Sequence, residues 1–128
     1  MKKNVVTLDL SKTVLDAVRI MAEQCVGCLV ITELDKPVGI ITERDIMRSI
    51  LQDRRILERS AKEVMSRPLL AVEPETMVVD ALDLMKKKEI RHLPVVAGEQ
   101  LQGVITMHSD LFYWALGTSK RDARNTYT

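Results

Sequence analysis

Gly39-Ile40-Ile41-Thr42-Glu43-Arg44-Asp45 is the stretch that decides the fold. Ile40 and Ile41 close an apolar, β-prone run that begins near Val38. Thr42 puts a hydroxyl where that run stops, and Asp45 follows at the first turn of a predicted helix. Thr-x-x-Asp ahead of an apolar stretch is a helix start of the capping-box kind, in which hydroxyl and carboxylate satisfy backbone N–H groups without partners inside the helix. That reading requires no ligand. The same corner also has the chemistry to hold a nucleotide. Free N–H groups and a hydroxyl can face phosphate, and a carboxylate can accept from ribose hydroxyls. The stretch alone does not separate the two readings.

The first four residues return as Gly103-Val104-Ile105-Thr106, an offset of 64. The same offset pairs Asp16 with Asp80, Ala17 with Ala81, Met21 with Met85 and Leu29 with Leu93. A fixed period across half the chain means two copies of one supersecondary unit.

Composition narrows the class. A chain of 128 residues, 46% hydrophobic and 29% charged, reads as soluble and globular. Its formal net charge of +1 gives no broad electrostatic footprint for nucleic acid. The Met1 end is polar and no long apolar run follows, so a cytoplasmic protein without membrane attachment is expected. Two cysteines in that compartment are expected to be reduced. Phe112, Tyr113 and Trp114 are three of only four aromatic residues, so base stacking is not expected from the repeat cores.

Taken in order, Lys2 to Leu10 is a short β-prone lead. Thr13 and Asp16 have capping-box spacing, and Val14, Ala17, Val18 and Met21 follow helical spacing. Gly27 is the expected helix end. Cys28 to Thr32 and Val38 to Thr42 are strands around the Asp35-Lys36-Pro37 turn, and a second helix follows from Glu43. Gln52 to Lys62 is charged and reads as a linker, partly packed through Ile56 and Leu57. The order then repeats, with a β lead at Leu69 to Val72 and Pro74 suited to a helix start. Val78, Ala81, Leu82 and Met85 form an apolar stripe. Ile90 to Val96 is a strand that Pro94 makes an edge or an irregular one. Leu101 to Thr106 is the return strand, Ser109 to Leu116 the last helix, and Gly117 to Thr128 a frayed tail. The expected class is α+β: two β-α-β-β-α repeats packed sheet to sheet with pseudo-twofold symmetry. The expected division is 1–54, a linker at 55–63, 64–117, and a tail at 118–128. One such unit cannot bury the apolar face of its small sheet alone, so pairing is the expected solution, with a cleft on each side.

The run Met65-Ser66-Arg67-Pro68, Ala81, Met85, Ile90-Arg91-His92-Leu93-Pro94-Val95, Gly103-Val104-Ile105-Thr106 resembles a cystathionine β-synthase (CBS) domain. The first half matches through Ala17, Met21, Val30 and Gly39-Ile40-Ile41-Thr42-x-x-Asp45, so the resemblance covers roughly Val5 to Leu116. It implies a paired CBS, or Bateman, module: a regulatory sensor of AMP, ADP or ATP, with S-adenosylmethionine or NAD as further ligands, that dimerises and acts on a protein partner. It implies no required cofactor. Carried over by residue, Asp45 takes the ribose, Thr42 the phosphate, and Ile40 and Ile41 wall the pocket. Leu70 and Ala71 from the other repeat lie near the base, with Arg91 and His92 toward phosphate and Arg44 adding charge. A guanidinium suits phosphate oxygens, and a nearby phosphate favours protonated histidine.

The second cleft, around Val6, Thr7, Thr106, Ser109 and Asp110, departs from the pattern. Ser109 stands at the offset of Asp45, and Asp110 comes one residue late, about 100° further round a helix. Gly27 and Cys28 stand where Arg91 and His92 stand in the other half. That cleft is expected to be weak or empty.

Other features have plainer readings. Cys25-x-x-Cys28 lacks the second ligand pair that zinc requires, so the two read as small buried or half-buried residues and no metal is expected. Lys86-Lys87-Lys88 reads as a solvated helix end, favoured by the dipole. Nucleic-acid binding through that run with Arg44, Arg54 and Arg55 is disfavoured by the near-neutral charge. Phe112-Tyr113-Trp114 divides between core and a dimer or partner face. No nucleophile–base set, phosphate loop or metal carboxylate cluster is present, so no enzyme is expected. The alternative to a ligand sensor is a ligand-free dimerisation module.

Overall fold

The computed structural model describes residues 5–108 and 111–115. Ser109, Asp110 and the expected tail lie outside the described residues. The chain divides into two units, Val6–Leu69 and a second that groups the N-terminal residues to Val5 with the chain from Leu70.

In the first unit, β1 (Thr7–Asp9) leads into α1 (Val14–Gln24), β2 (Cys28–Glu33), β3 (Lys36–Thr42) and α2 (Glu43–Gln52). The sheet order is β1-β2-β3, parallel then antiparallel. α1 starts on the expected box: the Asp16 amide donates to the Thr13 hydroxyl at 3.1 Å, and the Thr13 amide to the Asp16 carboxylate at 3.0 Å. It ends earlier than expected. Cys25, not Gly27, takes the left-handed cap conformation, with φ 57°. Val14, Ala17 and Met21 bury the α1 stripe against Leu29, Ile31 and Ile41.

The segment at 55–63 folds onto this unit as two 3-10 turns, Arg54–Glu58 and Ala61–Glu63. Ile56 and Leu57 pack against the core, and Ala61 is fully buried in it. The Val14 amide donates to the Arg59 carbonyl at 2.9 Å, which pins the start of α1. Met65 and Ser66 then cross β3. Ile40 and Ser66 exchange backbone bonds of 3.2 and 2.8 Å, so the outer edge of β3 is paired there. Only glycine fits beneath that crossing: a Cβ at Gly39 would lie 2.7 Å from the Met65 sulfur and 2.9 Å from the Ser66 carbonyl oxygen.

The second unit holds α3 (Val78–Lys88), β4 (His92–Ala97), β5 (Gln100–His108) and β6 (Leu111–Ala115). The 64-residue period persists in the register of the β-hairpin. Leu29 faces Ile41 as Leu93 faces Ile105. The register shifts between Ile31 and Thr32 and again between Val95 and Val96. The Glu43 amide donates to the Gly27 carbonyl at 3.1 Å, and the Met107 amide to the Arg91 carbonyl at 2.9 Å.

Three expectations for this unit are corrected. The β lead at Leu69 to Val72 is reduced to one bridge, Val72 to Val95, in the register Leu8 has with Ile31. Prolines explain it. In the first unit Val30 donates to the Val6 carbonyl at 3.1 Å and Leu10 donates to Thr32 at 2.8 Å. Pro94 and Pro74 occupy those donor positions and have no N–H. Only the central bonds survive, Val72 to the Pro94 carbonyl at 3.0 Å and Val96 to the Val72 carbonyl at 2.8 Å. Pro94 itself sits in β4, an edge strand of the order β4-β5-β6.

Second, α3 does not start at Pro74, which lies in a turn. It starts after Met77, which offers no side-chain cap. Val78, expected on the buried stripe, is 48% exposed, whereas Val14 is fully buried. Among the described residues nothing pins the α3 start as Arg59 pins α1. Ala81 and Met85 do pack, against Leu93, Val95 and Ile105.

Third, where a last helix was expected over Ser109 to Leu116, the described residues Leu111–Ala115 form a strand. β6 pairs antiparallel with β5, from His108 opposite Leu111 to Val104 opposite Ala115. At Thr42 the strand stops because Asp45 closes a capping box. Three residues after Thr106 stands Ser109, without a carboxylate, and β5 runs on to His108. Leu-Phe-Tyr-Trp is rich in residues that suit a pleated surface, so pairing takes the place of the uncapped helix.

Candidate functional site

Ile40, Thr42, Arg44 and Asp45 converge where β3 passes into α2. Thr42 is the N-cap: its hydroxyl accepts from the Asp45 amide at 3.2 Å, and Asp45 Oδ2 accepts from the Thr42 amide at 3.0 Å. The helix start that needs no ligand is therefore formed. It uses one carboxylate oxygen and leaves Oδ1 without a partner among the described residues. An ionised carboxylate has acceptor capacity for more than one donor, so capping and ligand contact are compatible. Thr42 and Asp45 are half-buried, and Arg44 is exposed. Cys28 lies directly opposite Thr42 in the β2–β3 ladder.

The corresponding corner of the second unit holds His92 opposite Thr106, with Thr106 Oγ1 and His92 Nδ1 3.4 Å apart. Thr106 is 7% exposed and sits inside a strand, so it caps no helix. Arg91, immediately before, is exposed. Leu70 and Ala71 form the segment that hangs from the Val72 bridge, with Leu70 37% exposed. Within the first unit, Val6 and Thr7 lie on the fully laddered β1 edge. Ser109 and Asp110 lie outside the described residues.

Sequence reasoning left Ser66 out of the site, although it pairs with Ile40 on both sides. The signal was Gly39, whose missing side chain marks a close backbone approach. The cysteines are both free. Cys25 is exposed, which corrects the expectation of two sheltered residues. Burial pushes the Cys28 thiol up to about 12, with the Glu43 carboxylate adding to the shift. Among the described residues no group of three or more histidines, cysteines or carboxylates could hold a metal. No helix there is long and apolar enough to cross a membrane.

Comparison with known proteins follows the same repeat. The family model described as CBS domain matches residues 1–52 and 61–109. An uncharacterized protein of Methanopyrus kandleri is 36% identical over 86% of this chain and 58% of its own length. A mitochondrial CBS domain-containing protein of Arabidopsis thaliana is 38% identical over 74% of this chain and 49% of its own. This chain thus spans about half the length of those two relatives. Among solved structures, a CBS domain protein of Pyrobaculum aerophilum complexed with AMP is 30% identical. It covers 83% of this chain and 82% of its own, with a TM-score of 0.75.

Proposed function

This chain belongs to the CBS domain family and carries two copies, and from that premise we propose that it is a regulatory module that binds an adenine nucleotide of the AMP, ADP or ATP class. Thr42 and Arg44 meet phosphate and Asp45 the ribose, with Ile40 as an apolar wall. Leu70 and Ala71 meet the base, and Arg91 and His92 add phosphate contacts. The observation that carries this reading is the Thr42–Asp45 corner, formed with one carboxylate oxygen to spare. The AMP complex of the Pyrobaculum relative supports the ligand class. Two exposed guanidiniums, Arg44 and Arg91, supply charge suited to phosphate oxygens. S-adenosylmethionine and NAD share the adenosine portion and belong in the same panel. The role is binding rather than catalysis, in a cytoplasmic setting, with the effect passed to a protein partner through different affinities for two arrangements.

Calorimetric titration with AMP tests this. The wild type should bind in the micromolar range, a free energy of about 8 kcal/mol. Asp45→Ala should weaken binding at least tenfold, whereas Thr106→Ala should change it little. Equal losses, or no heat from any of the five adenosine-containing ligands, would overturn the assignment.

A pairing module without a small ligand is the second reading, and one observation favours self-association. Met47 and Leu51, one turn apart on α2, are 62% and 87% exposed, an apolar stripe suited to a second copy. Sedimentation of Leu51→Glu against wild type reports whether that stripe holds a homodimer.

A further inference from the structure

Three consecutive apolar side chains stand in solvent at the start of α3: Met77, Val78 and Val79 are 65%, 48% and 57% exposed. An adjoining run of that kind marks a contact surface, where a single exposed apolar residue would not. The first repeat shows what such a surface meets. There Val14, the counterpart of Val78, is fully buried, and residues 54–63 lie across the start of α1 with Ile56, Leu57 and Ala61 against the core. Three hydrogen bonds hold that segment. The Val14 amide donates to the Arg59 carbonyl at 2.9 Å, the Ala61 amide to the Lys12 carbonyl at 2.7 Å, and the Ser60 hydroxyl to the Leu10 carbonyl at 2.8 Å. The 64-residue period maps the receiving positions onto Val78, Thr76 and Pro74. Among the described residues the Val78 amide and the Thr76 and Pro74 carbonyls have no hydrogen-bond partner.

Charge sets the sign of the partner. Between 9 and 19 the first repeat balances Asp9 and Asp16 with Lys12 and Arg19. The second repeat has Thr76 and Asp83 in place of those two cations. Residues 73–83 therefore carry Glu73, Glu75, Asp80 and Asp83, all exposed, and no cation. Such a surface repels an acidic segment. It also repels itself, which disfavours a twofold contact between two copies of this face.

We propose that the start of α3 is a docking surface for a short basic segment of a partner protein, one with two adjacent aliphatic side chains flanked by arginine or lysine, lying across the helix as residues 54–63 lie across α1. The aliphatic pair covers Met77, Val78 and Val79. The basic side chains meet the four carboxylates, and the segment's backbone bonds the Val78 amide and the Thr76 carbonyl. The surface and the chemistry of its partner are thereby added to the regulatory reading, and they stand whether or not a nucleotide binds.

The probe is a labelled peptide with the sequence of residues 54–63, Arg-Arg-Ile-Leu-Glu-Arg-Ser-Ala-Lys-Glu, which has the required chemistry. It is titrated into the whole chain and followed by fluorescence anisotropy, with hydrogen exchange read at the Val78 and Val79 amides. Binding should saturate, slow exchange at both amides and weaken as salt is raised. Asp83→Lys and Val79→Ser change exposed side chains, so both variants should fold, and each should weaken the peptide by about tenfold. A peptide with glutamate for arginine, or with serine for the Ile-Leu pair, should not bind. No saturable binding, or binding that neither variant weakens, overturns the proposal. Amides already protected in the free monomer would mean that the chain covers this face itself. Protection that grows with protein concentration would mean that a second copy does. Either result overturns it too. None of these readouts involves AMP, so the nucleotide reading can fail without this one.

Discussion

Met77 occupies the position that Thr13 holds in the first repeat, and the difference is one missing half of a capping box. Asp80, the partner of Asp16 in the period, is already the third residue of α3. Met77 has φ −68° and ψ 144°, suited to an N-cap, and is 65% exposed. Met77→Thr should therefore stabilise the second unit by about 1 kcal/mol, and Thr13→Ala should cost the first a similar amount, both read by urea unfolding. Leu34 is a second mismatch. It holds φ 52° at the β2–β3 turn and is 84% exposed, while Gly98 stands at the matching place with φ 64°. Left-handed backbone costs a branched residue roughly 1 kcal/mol, and nothing is packed around Leu34 in return. Leu34→Gly should raise the unfolding midpoint; a drop would mean that the leucine has contacts in an assembly. The capping box also sets an acid dependence. The Thr13 amide, then its hydroxyl, holds the Asp16 carboxyl below its ordinary value. A carboxyl depressed in the folded state stabilises above its unfolded value and loses that contribution as pH falls through the folded one. Asp16→Asn should therefore be less stable than wild type at neutral pH, with the two converging as pH falls through the lowered folded-state value.

Elements answer to pairs of such residues. Gly39→Ala would strain the Met65–Ser66 crossing over β3, since its Cβ meets sulfur at 2.7 Å and a carbonyl oxygen at 2.9 Å. The expected cost is about 1–3 kcal/mol, as for other overpacked sites. Adding Met65→Ala should not recover it, because the side chain can yield but the Ser66 backbone stays where Ile40 holds it. The duplication was legible from sequence because each repeat solves the same packing problem with the same spacing, down to the bulge one residue after Ile31 and Val95. The capped corner at Thr42 was legible for the same reason. The end of α1 was not, because a cysteine rather than a glycine takes the left-handed cap. The last element was half legible. The repeat period pointed to a helix, whereas the β-prone residues Leu111 to Trp114 pair with β5. Cys28 shows the opposite case, a motif whose context silences it. With its thiol raised to about 12 by burial, iodoacetamide at pH 8 should alkylate Cys25 alone in the native protein, with one adduct by mass. A second adduct before unfolding would mean that the β2–β3 end opens.

For the molecule as a whole, the units are alike in architecture and unlike in chemistry, and stoichiometry is where that difference should appear. Among the described residues, the strand-end hydroxyl–carboxylate corner is formed in the first repeat. Only the other carries an arginine–histidine pair and a lead segment stripped of its ladder donors. On the proposed nucleotide reading they serve one ligand per chain. Titration should accordingly give one equivalent of AMP per chain. If that proposal holds, the ligand should stabilise both units. At a hundredfold excess over its dissociation constant it should add about 2.7 kcal/mol, or a rise of roughly 10 °C in the unfolding midpoint. If the units melt separately without ligand, AMP should move both transitions or merge them. A shift confined to the transition of residues 6–69 would assign the site to Thr42 and Asp45 alone. Arg91 and His92 would then have no part in binding, and Arg91→Ala should leave the affinity where it was.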